Sequence, residues 1–161
     1  MTKPVSIHFG YTNNSKSVGN WAIRVGTGGS WAHTLIMFTY DDGSQSYYES
    51  ISSVRDIKAY DGQVYRKNGV GGPFPIGKLY QWVNAKPSKR TVHFQEVLGL
   101  TQDEIIEAEK FLQRHVPNIK YAKLQILQNT RTLLTGRMGS AKRISPHAWT
   151  CSETAVRCMP A

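Results

Sequence analysis

The sequence has 161 residues, of which 40% are hydrophobic and 19% charged, so it is long enough for one well-packed domain and too apolar for a disordered protein. Its 20 lysines and arginines exceed its 11 acids and leave a formal net charge of +9. That excess favours a polyanionic partner such as nucleic acid, anionic lipid or a cell-wall polymer, without choosing among them. Length and composition exclude a large multidomain enzyme and a disulfide-stapled mini-protein.

The N-terminal segment predicts synthesis in a cytoplasm. Residues 1–6 lack the basic start and apolar run of a signal peptide. No stretch of the sequence approaches the roughly 18 apolar residues of a membrane span, so none is expected. A phage-encoded or small bacterial enzyme that is released by another route fits this pattern.

Residues 1–97 have the pattern of β structure. Five runs rich in apolar and β-branched residues predict strands over 5–9, 21–25, 34–40, 47–51 and 90–94. The turn sequence Asp-Asp-Gly-Ser at 41–44 predicts a hairpin between the third and fourth of them. Residues 61–77, which hold five glycines and two prolines, predict an irregular loop of the kind that often forms a lid or a binding loop.

Residues 98–161 have the pattern of α structure. A capping box of Thr101 and Glu104 predicts the start of a helix that Pro117 ends. The apolar positions that share one face of this helix are Ile105, Ala108, Leu112 and Val116. Further helices are predicted over about 121–134 and 151–159, with a basic connector at 136–146 between them.

The positive charge is concentrated in the helical part of the sequence. Residues 1–109 hold 11 basic and 10 acidic side chains, whereas residues 110–161 hold nine basic side chains and one acid. The net charges of the two parts are therefore +1 and +8.

Cys151 is the candidate nucleophile. A second capping box, formed by Thr150 and Glu153, places it at the first position of the last predicted helix. The helix dipole there favours an anion and is expected to lower the pKa of a thiol. Cys158, seven residues further on, would lie about 10 Å away on one helix, which is too far for a disulfide. Both cysteines are therefore expected as thiols, with Cys158 in a packing role.

His33 is the candidate general base, because a thiolate nucleophile needs a histidine that a polar group orients. It opens the strand predicted at 34–40, and across the hairpin Glu49 is expected opposite or diagonal to it on the same face. His147, close to Cys151 in sequence, is the alternative base. The remaining histidines, without an acidic companion in the pattern, are His8, His93 and His115.

Three segments, WAHTLI at 31–36, YES at 48–50 and WTCSET at 149–154, together resemble the circularly permuted NlpC/P60 (papain-like) hydrolases. The resemblance is to the YiiX-like branch and, more remotely, to the lecithin-retinol acyltransferase-like proteins. It implies an α+β papain-like fold, a small antiparallel sheet packed against helices, in a single domain that covers residues 1–161.

The same resemblance implies the roles of the site residues. Cys151 corresponds to the nucleophile, His33 to the general base and acid, and Glu49 to the residue that orients the imidazole. The backbone N–H of Cys151 is the candidate oxyanion donor. Trp31 and Trp149 flank the histidine and the cysteine and are expected to line the cleft.

The expected activity is hydrolysis of an amide bond through an acyl-enzyme, with no cofactor. Peptidoglycan peptides are the favoured substrate, because the family acts on them and a basic surface suits an anionic cell wall. Two alternatives stay open: a hydrolase or acyltransferase for thioesters, acyl lipids or protein conjugates, and a non-catalytic binding protein with a basic surface. Paired ligands at zinc spacing and a recognisable nucleic-acid module are missing from the sequence, so neither metal nor nucleic acid is expected.

Overall fold

A computed structural model describes residues 2–14, 33–51, 56–58, 64–66, 69–85, 90–115, 120–121, 148–149 and 159. These residues form an α+β fold built on an antiparallel sheet. The strands are β1 (Pro4–Asn14), β2 (His33–Tyr40), β3 (Gln45–Ile51), β4 (Asp56–Lys58), β5 (Val64–Arg66), β6 (Gly69–Pro75), β7 (Arg90–Glu96), β8 (Lys120–Tyr121) and β9 (Ala148–Trp149). The helices are α1 (Ile76–Asn84) and α2 (Gln102–His115).

Five antiparallel strands form the body of the sheet, in the order β7-β1-β2-β3-β6. The two-residue strands β8 and β9 extend this sheet beyond β6, and β9 runs parallel to β8. Strands β4 and β5 form a separate two-stranded ladder. The expected class, an antiparallel sheet with helices against it, is confirmed at this level.

The sheet buries both of its faces, because residues 35–38 of β2 are all apolar and their side chains point to the two faces in turn. Each face has a helix to pack on. On one face, α2 covers the first buried cluster, which consists of Ile7, Ile36, Phe38, Tyr48, Ile105, Ala108 and Leu112. On the other face, α1 contributes to the second cluster, which consists of Leu35, Met37, Tyr47, Phe74 and Leu79. His33 precedes Leu35 by two residues and so belongs to the α1 face of the sheet.

The predicted hairpin between β2 and β3 is confirmed. The N–H of Tyr40 donates to the carbonyl of Ser44, and the N–H of Gly43 donates back to Tyr40, each at 2.9 Å. Gly43 has a φ of +80°, a conformation that its missing Cβ permits. An oxygen of Asp42 accepts the N–H of Ser44 at 2.9 Å. Local chemistry within five residues therefore sets the register of the two strands.

The prediction of one irregular loop over 61–77 is wrong, because this segment contains β5, β6 and the start of α1. Strand β6 pairs with β3 through a bulge that inserts an extra residue on the β6 side. A Cβ on Gly71 would lie 2.7 Å from the ring of Phe74, and one on Gly72 would lie 2.6 Å from the ring of Tyr48. The glycines allow close packing within the sheet, where the sequence pattern indicated an irregular loop.

Helix α2 begins as predicted and ends two residues before Pro117. The N–H and the hydroxyl of Thr101 both donate to a carboxylate oxygen of Glu104 at 2.7 Å, which confirms the capping box. The helix predicted from about residue 121 starts differently, because Tyr121 belongs to β8. Residues 122–134, the strand predicted at 21–25 and residues 151–158 of the last predicted helix lie outside the described residues. Neither described helix is long and apolar enough to cross a bilayer.

Candidate active site

The sheet brings His33 and Glu49 together. Leu35 of β2 is opposite Glu49 of β3, so His33 lies one diagonal step from Glu49 on the same face. Nε2 of His33 and Oε2 of Glu49 are 2.9 Å apart, with the side chains 21% and 14% exposed. The hairpin therefore positions a half-buried imidazole against a carboxylate at the end of the sheet where β2 begins.

The neighbouring strands enclose this pair closely. Thr12 of β1 is opposite His33 and is buried, while Gly71 of β6 is opposite Glu49. Tyr47 lies two residues before Glu49 on the same face. Burial, together with the Glu49 charge, raises the pKa of Tyr47 far above its ordinary value. Tyr47 therefore stays neutral beside Glu49 and adds no competing charge.

The contact with Glu49 relates the tautomer of His33 to the chemistry its ring can perform. A carboxylate oxygen accepts hydrogen bonds, so in the tautomer that carries its proton on Nε2 the neutral ring donates to Glu49 and has its basic lone pair on Nδ1. Such an imidazole can accept a proton from a nucleophile and return it to a leaving group.

No protein-family model, curated protein or solved structure matches this chain. Its function is therefore inferred from its residues and their geometry.

The remaining predicted site residues are described only in part. Cys151, Trp31 and the alternative base His147 lie outside the described residues. Trp149 is described through its backbone, which pairs with Tyr121 in the parallel β8–β9 ladder. The roles assigned to these residues stay predictions.

The other histidines have different surroundings from His33. His115 lies in the last turn of α2, where its Nδ1–H donates to the Phe111 carbonyl at 2.7 Å and its ring packs on the Phe111 ring. His93 is on the outermost strand, β7, and Nδ1 of His8 is buried without a hydrogen-bond partner among the described residues. Within the same part of the chain, no three His, Cys, Asp or Glu side chains are grouped to hold a metal ion.

Glu109 is a buried acid that the sequence analysis missed. It lies on the apolar face of α2, only 8% exposed, and accepts a hydrogen bond from the hydroxyl of Tyr40. The hydroxyl of Tyr48 is 3.4 Å from the same oxygen, and Ser46 donates to the Tyr40 hydroxyl at 2.7 Å. Burial raises the pKa of Glu109, and the tyrosine hydrogen bonds oppose that shift. The available signal was its position, one residue after Ala108 and three before Leu112 on the buried helical face.

Proposed function

We propose that the protein is a thiol-dependent hydrolase that cleaves an amide bond, with Cys151 as nucleophile, His33 as general base and acid, and Glu49 as the orienting group. The observation that supports this most is the 2.9 Å contact between the His33 imidazole and the Glu49 carboxylate. A half-buried imidazole held by an acceptor is the base and orienter portion of a catalytic triad. The antiparallel sheet that supplies both residues agrees with the α+β part of the papain-like resemblance.

The proposed reaction proceeds through a thioester. Nδ1 of His33 takes the thiol proton, and the sulfur of Cys151 attacks the carbonyl carbon of the substrate. The C–N bond then breaks as His33 returns that proton to the leaving amine. Water, deprotonated by His33, hydrolyses the thioester and regenerates the thiol. Throughout, the Glu49 carboxylate stabilises the imidazolium that forms in each transfer.

Peptidoglycan peptides are the proposed substrate class. Two features support this choice: the resemblance of the three sequence segments to the permuted NlpC/P60 hydrolases, and the net charge of +8 over residues 110–161. A basic surface raises the local concentration of an acidic peptide or polymer. Thioesters, acyl lipids and protein conjugates, which the same thiol chemistry can cleave, are the comparison substrates for the assay.

The nucleophile is tested by comparing Cys151→Ala with Cys158→Ala, a matched control that removes the other thiol. Release of new amino groups from peptidoglycan peptides is expected to stop in the first variant and continue in the second. His33→Ala is expected to lower the rate by about 10²–10⁴-fold, the usual contribution of a general acid and base. Hydrolysis that survives Cys151→Ala would rule out the assignment.

The pH dependence of thiol alkylation separates an enzyme from a binding protein. A Cys151 thiol activated by His33 is expected to react with iodoacetamide well below the ordinary thiol pKa of about 8.5. In His33→Ala, labelling of Cys151 is expected to move toward alkaline pH, as followed by mass spectrometry of the labelled peptide. Alkaline labelling already in the wild type would favour the non-catalytic binding protein.

A further inference from the structure

Strand β7 forms one edge of the sheet, and among the described residues β1 is its only strand partner. The N–H of Val97 donates to the carbonyl of Ile7 at 2.9 Å. The β1–β7 register continues from there without a shift, with Phe9 opposite Gln95 and Tyr11 opposite His93. Val97 and Ile7 are thus a hydrogen-bonded pair, and so is every second pair along the ladder, including Gln95 with Phe9 and His93 with Tyr11. In an antiparallel ladder the N–H and C=O groups of these residues point at the partner strand, and those of the residues between them point away from it.

The outward-directed backbone groups on β7 are therefore those of Arg90, Val92, Phe94 and Glu96. Within the described strand, β7 contains no proline, lysine or bulge, three features that often prevent strand addition. It does contain threonine, valine and phenylalanine, which favour strands. The edge is thus suited to pair with a further strand.

We propose that a second copy of this chain binds at this edge, through antiparallel pairing of β7 with β7 of the partner, centred on His93. In this register Val92 is opposite the partner's Phe94, and Arg90 is opposite the partner's Glu96. The two-fold axis generates each pairing twice, which gives four residue pairs. All four are hydrogen-bonded pairs, because the N–H and C=O groups of these residues point away from β1 and toward the partner. Two sheets would thereby become one continuous sheet.

Side-chain chemistry selects this register from its neighbours. A pair centred on Val92 would put Arg90 opposite the partner's Phe94, and one centred on Phe94 would put Glu96 opposite the partner's Val92. Only centring on His93 matches opposite charges with each other and apolar side chains with each other. Charge complementarity between directly opposite residues stabilises a strand pair, and its absence disfavours the shifted ones.

Arg90 is held in place for such a contact. Its guanidinium carbon lies 4.6 Å from the centre of the Trp82 ring, and its Nη1 donates to the Trp82 carbonyl at 2.6 Å. The guanidinium group has five N–H donors, so Nη2 can bind the partner's Glu96 while Nη1 keeps its bond. A side chain that is already ordered loses little conformational entropy on binding.

A charge exchange tests the proposal, with mass measured by sedimentation velocity over a wide concentration range. The wild type is expected to form a dimer as concentration rises, and Glu96→Arg is expected to weaken dimerisation at least about tenfold. Adding Arg90→Glu is expected to restore it, because the exchanged charges again face each other between chains. Within one strand the two residues are about 20 Å apart and cannot rescue each other directly. Glu107→Arg, the same change in charge on the exposed surface of α2, is the control and should leave the dimer intact.

Glu96→Pro is a second variant that does not depend on Arg90. It removes an N–H that points away from β1, so the β1–β7 ladder should survive and circular dichroism should match the wild type. The dimer is expected to be lost. A wild type that stays monomeric at every concentration, a double variant as weak as Glu96→Arg, or a proline variant that still dimerises would each overturn the proposal.

Discussion

At the scale of single residues, two carboxylates on opposite faces of one sheet have contrasting surroundings. Glu49 is paired with an imidazole near the open end of the hairpin. Glu109 is buried on the sheet-facing side of α2, in contact with the hydroxyls of Tyr40 and Tyr48. Desolvation is the largest effect on the pKa of Glu109 and disfavours its ionisation. Glu49, by contrast, has a basic imidazole within hydrogen-bond distance.

Glu109→Gln is expected to stabilise the protein at neutral pH. Because the pKa of Glu109 is raised in the folded state, its contribution to stability is fully present below the unfolded pKa of about 4.3 and is lost as pH rises through the folded pKa. Glutamine keeps an acceptor for Tyr40 and has no charge to bury. A gain of about 1 kcal/mol at pH 7 and none at pH 4 is expected in urea unfolding.

Glu107→Gln on the exposed side of the same helix is the matched control. The hydrogen bond and charge of Lys110 lower the pKa of Glu107, so its contribution is present above the unfolded pKa and lost in acid. Its replacement should therefore lower stability slightly at pH 7 and leave it unchanged in acid. If Glu109→Gln changed the free energy of unfolding equally at pH 4 and pH 7, burial would not be what disfavours the charge of Glu109.

At the scale of elements, β6 and α1 show how packing overrides local sequence signals. Helix α1 has only nine residues, no side-chain hydrogen bond at its N-cap, no acid in its first turn and no base in its last. Its formation depends on burying Leu79 against the α1 face of the sheet. Strand β6 similarly depends on β3, which supplies its ladder partner and which Gly72 approaches closely.

Gly72→Ala is expected to lower stability by about 2–4 kcal/mol, measured by urea unfolding. Gly72 has a φ of +132°, and a Cβ there would lie 2.8 Å from the carbonyl oxygen of Tyr47, a backbone atom that cannot rotate away. Gly77→Ala in α1 is the control, since apart from its chain neighbours and the backbone of its own helix no described atom lies within 4 Å of its added Cβ, and a gain of up to about 1 kcal/mol is expected. A Gly72→Ala protein as stable as the wild type would show that β6 does not pack in this way.

For the molecule as a whole, the net charge of +9 bears on the proposed function, because a basic protein attracts acidic molecules. Charges that lie more than a Debye length apart, about 8 Å at physiological salt, are largely screened. Attraction between a basic protein and an approaching acidic substrate acts over longer distances than this, so added salt is expected to weaken it.

For the proposed hydrolase, kcat/KM toward an acidic peptide is expected to fall by several-fold to about tenfold as salt rises from low to high concentration. A neutral peptide with the same scissile bond is the control and should show little change. Initial rates at several sodium chloride concentrations measure both. Equal salt dependence for the two peptides would argue that the basic surface has no part in substrate capture.

Features that depend on neighbours along the chain are predictable from the amino-acid sequence. The hairpin at 41–44, the apolar strand that became β2 and the capping box of α2 all follow from residues close together in the sequence. The proximity of His33 to Glu49 was also predictable, because a tight turn sets the register of the two strands that carry them.

Long-range packing, in contrast, sets the pairing of β6, the formation of α1, the burial of Glu109 and the position of β7 at the sheet edge. Each depends on contacts between segments far apart in sequence: Gly72 with Tyr48, Leu79 with the sheet, and Glu109 with Tyr40. Such contacts leave no periodic signal in either segment alone. These contacts contribute to stability only when the two surfaces meet, so the role of Gly72, Leu79 or Glu109 cannot be predicted from its own segment.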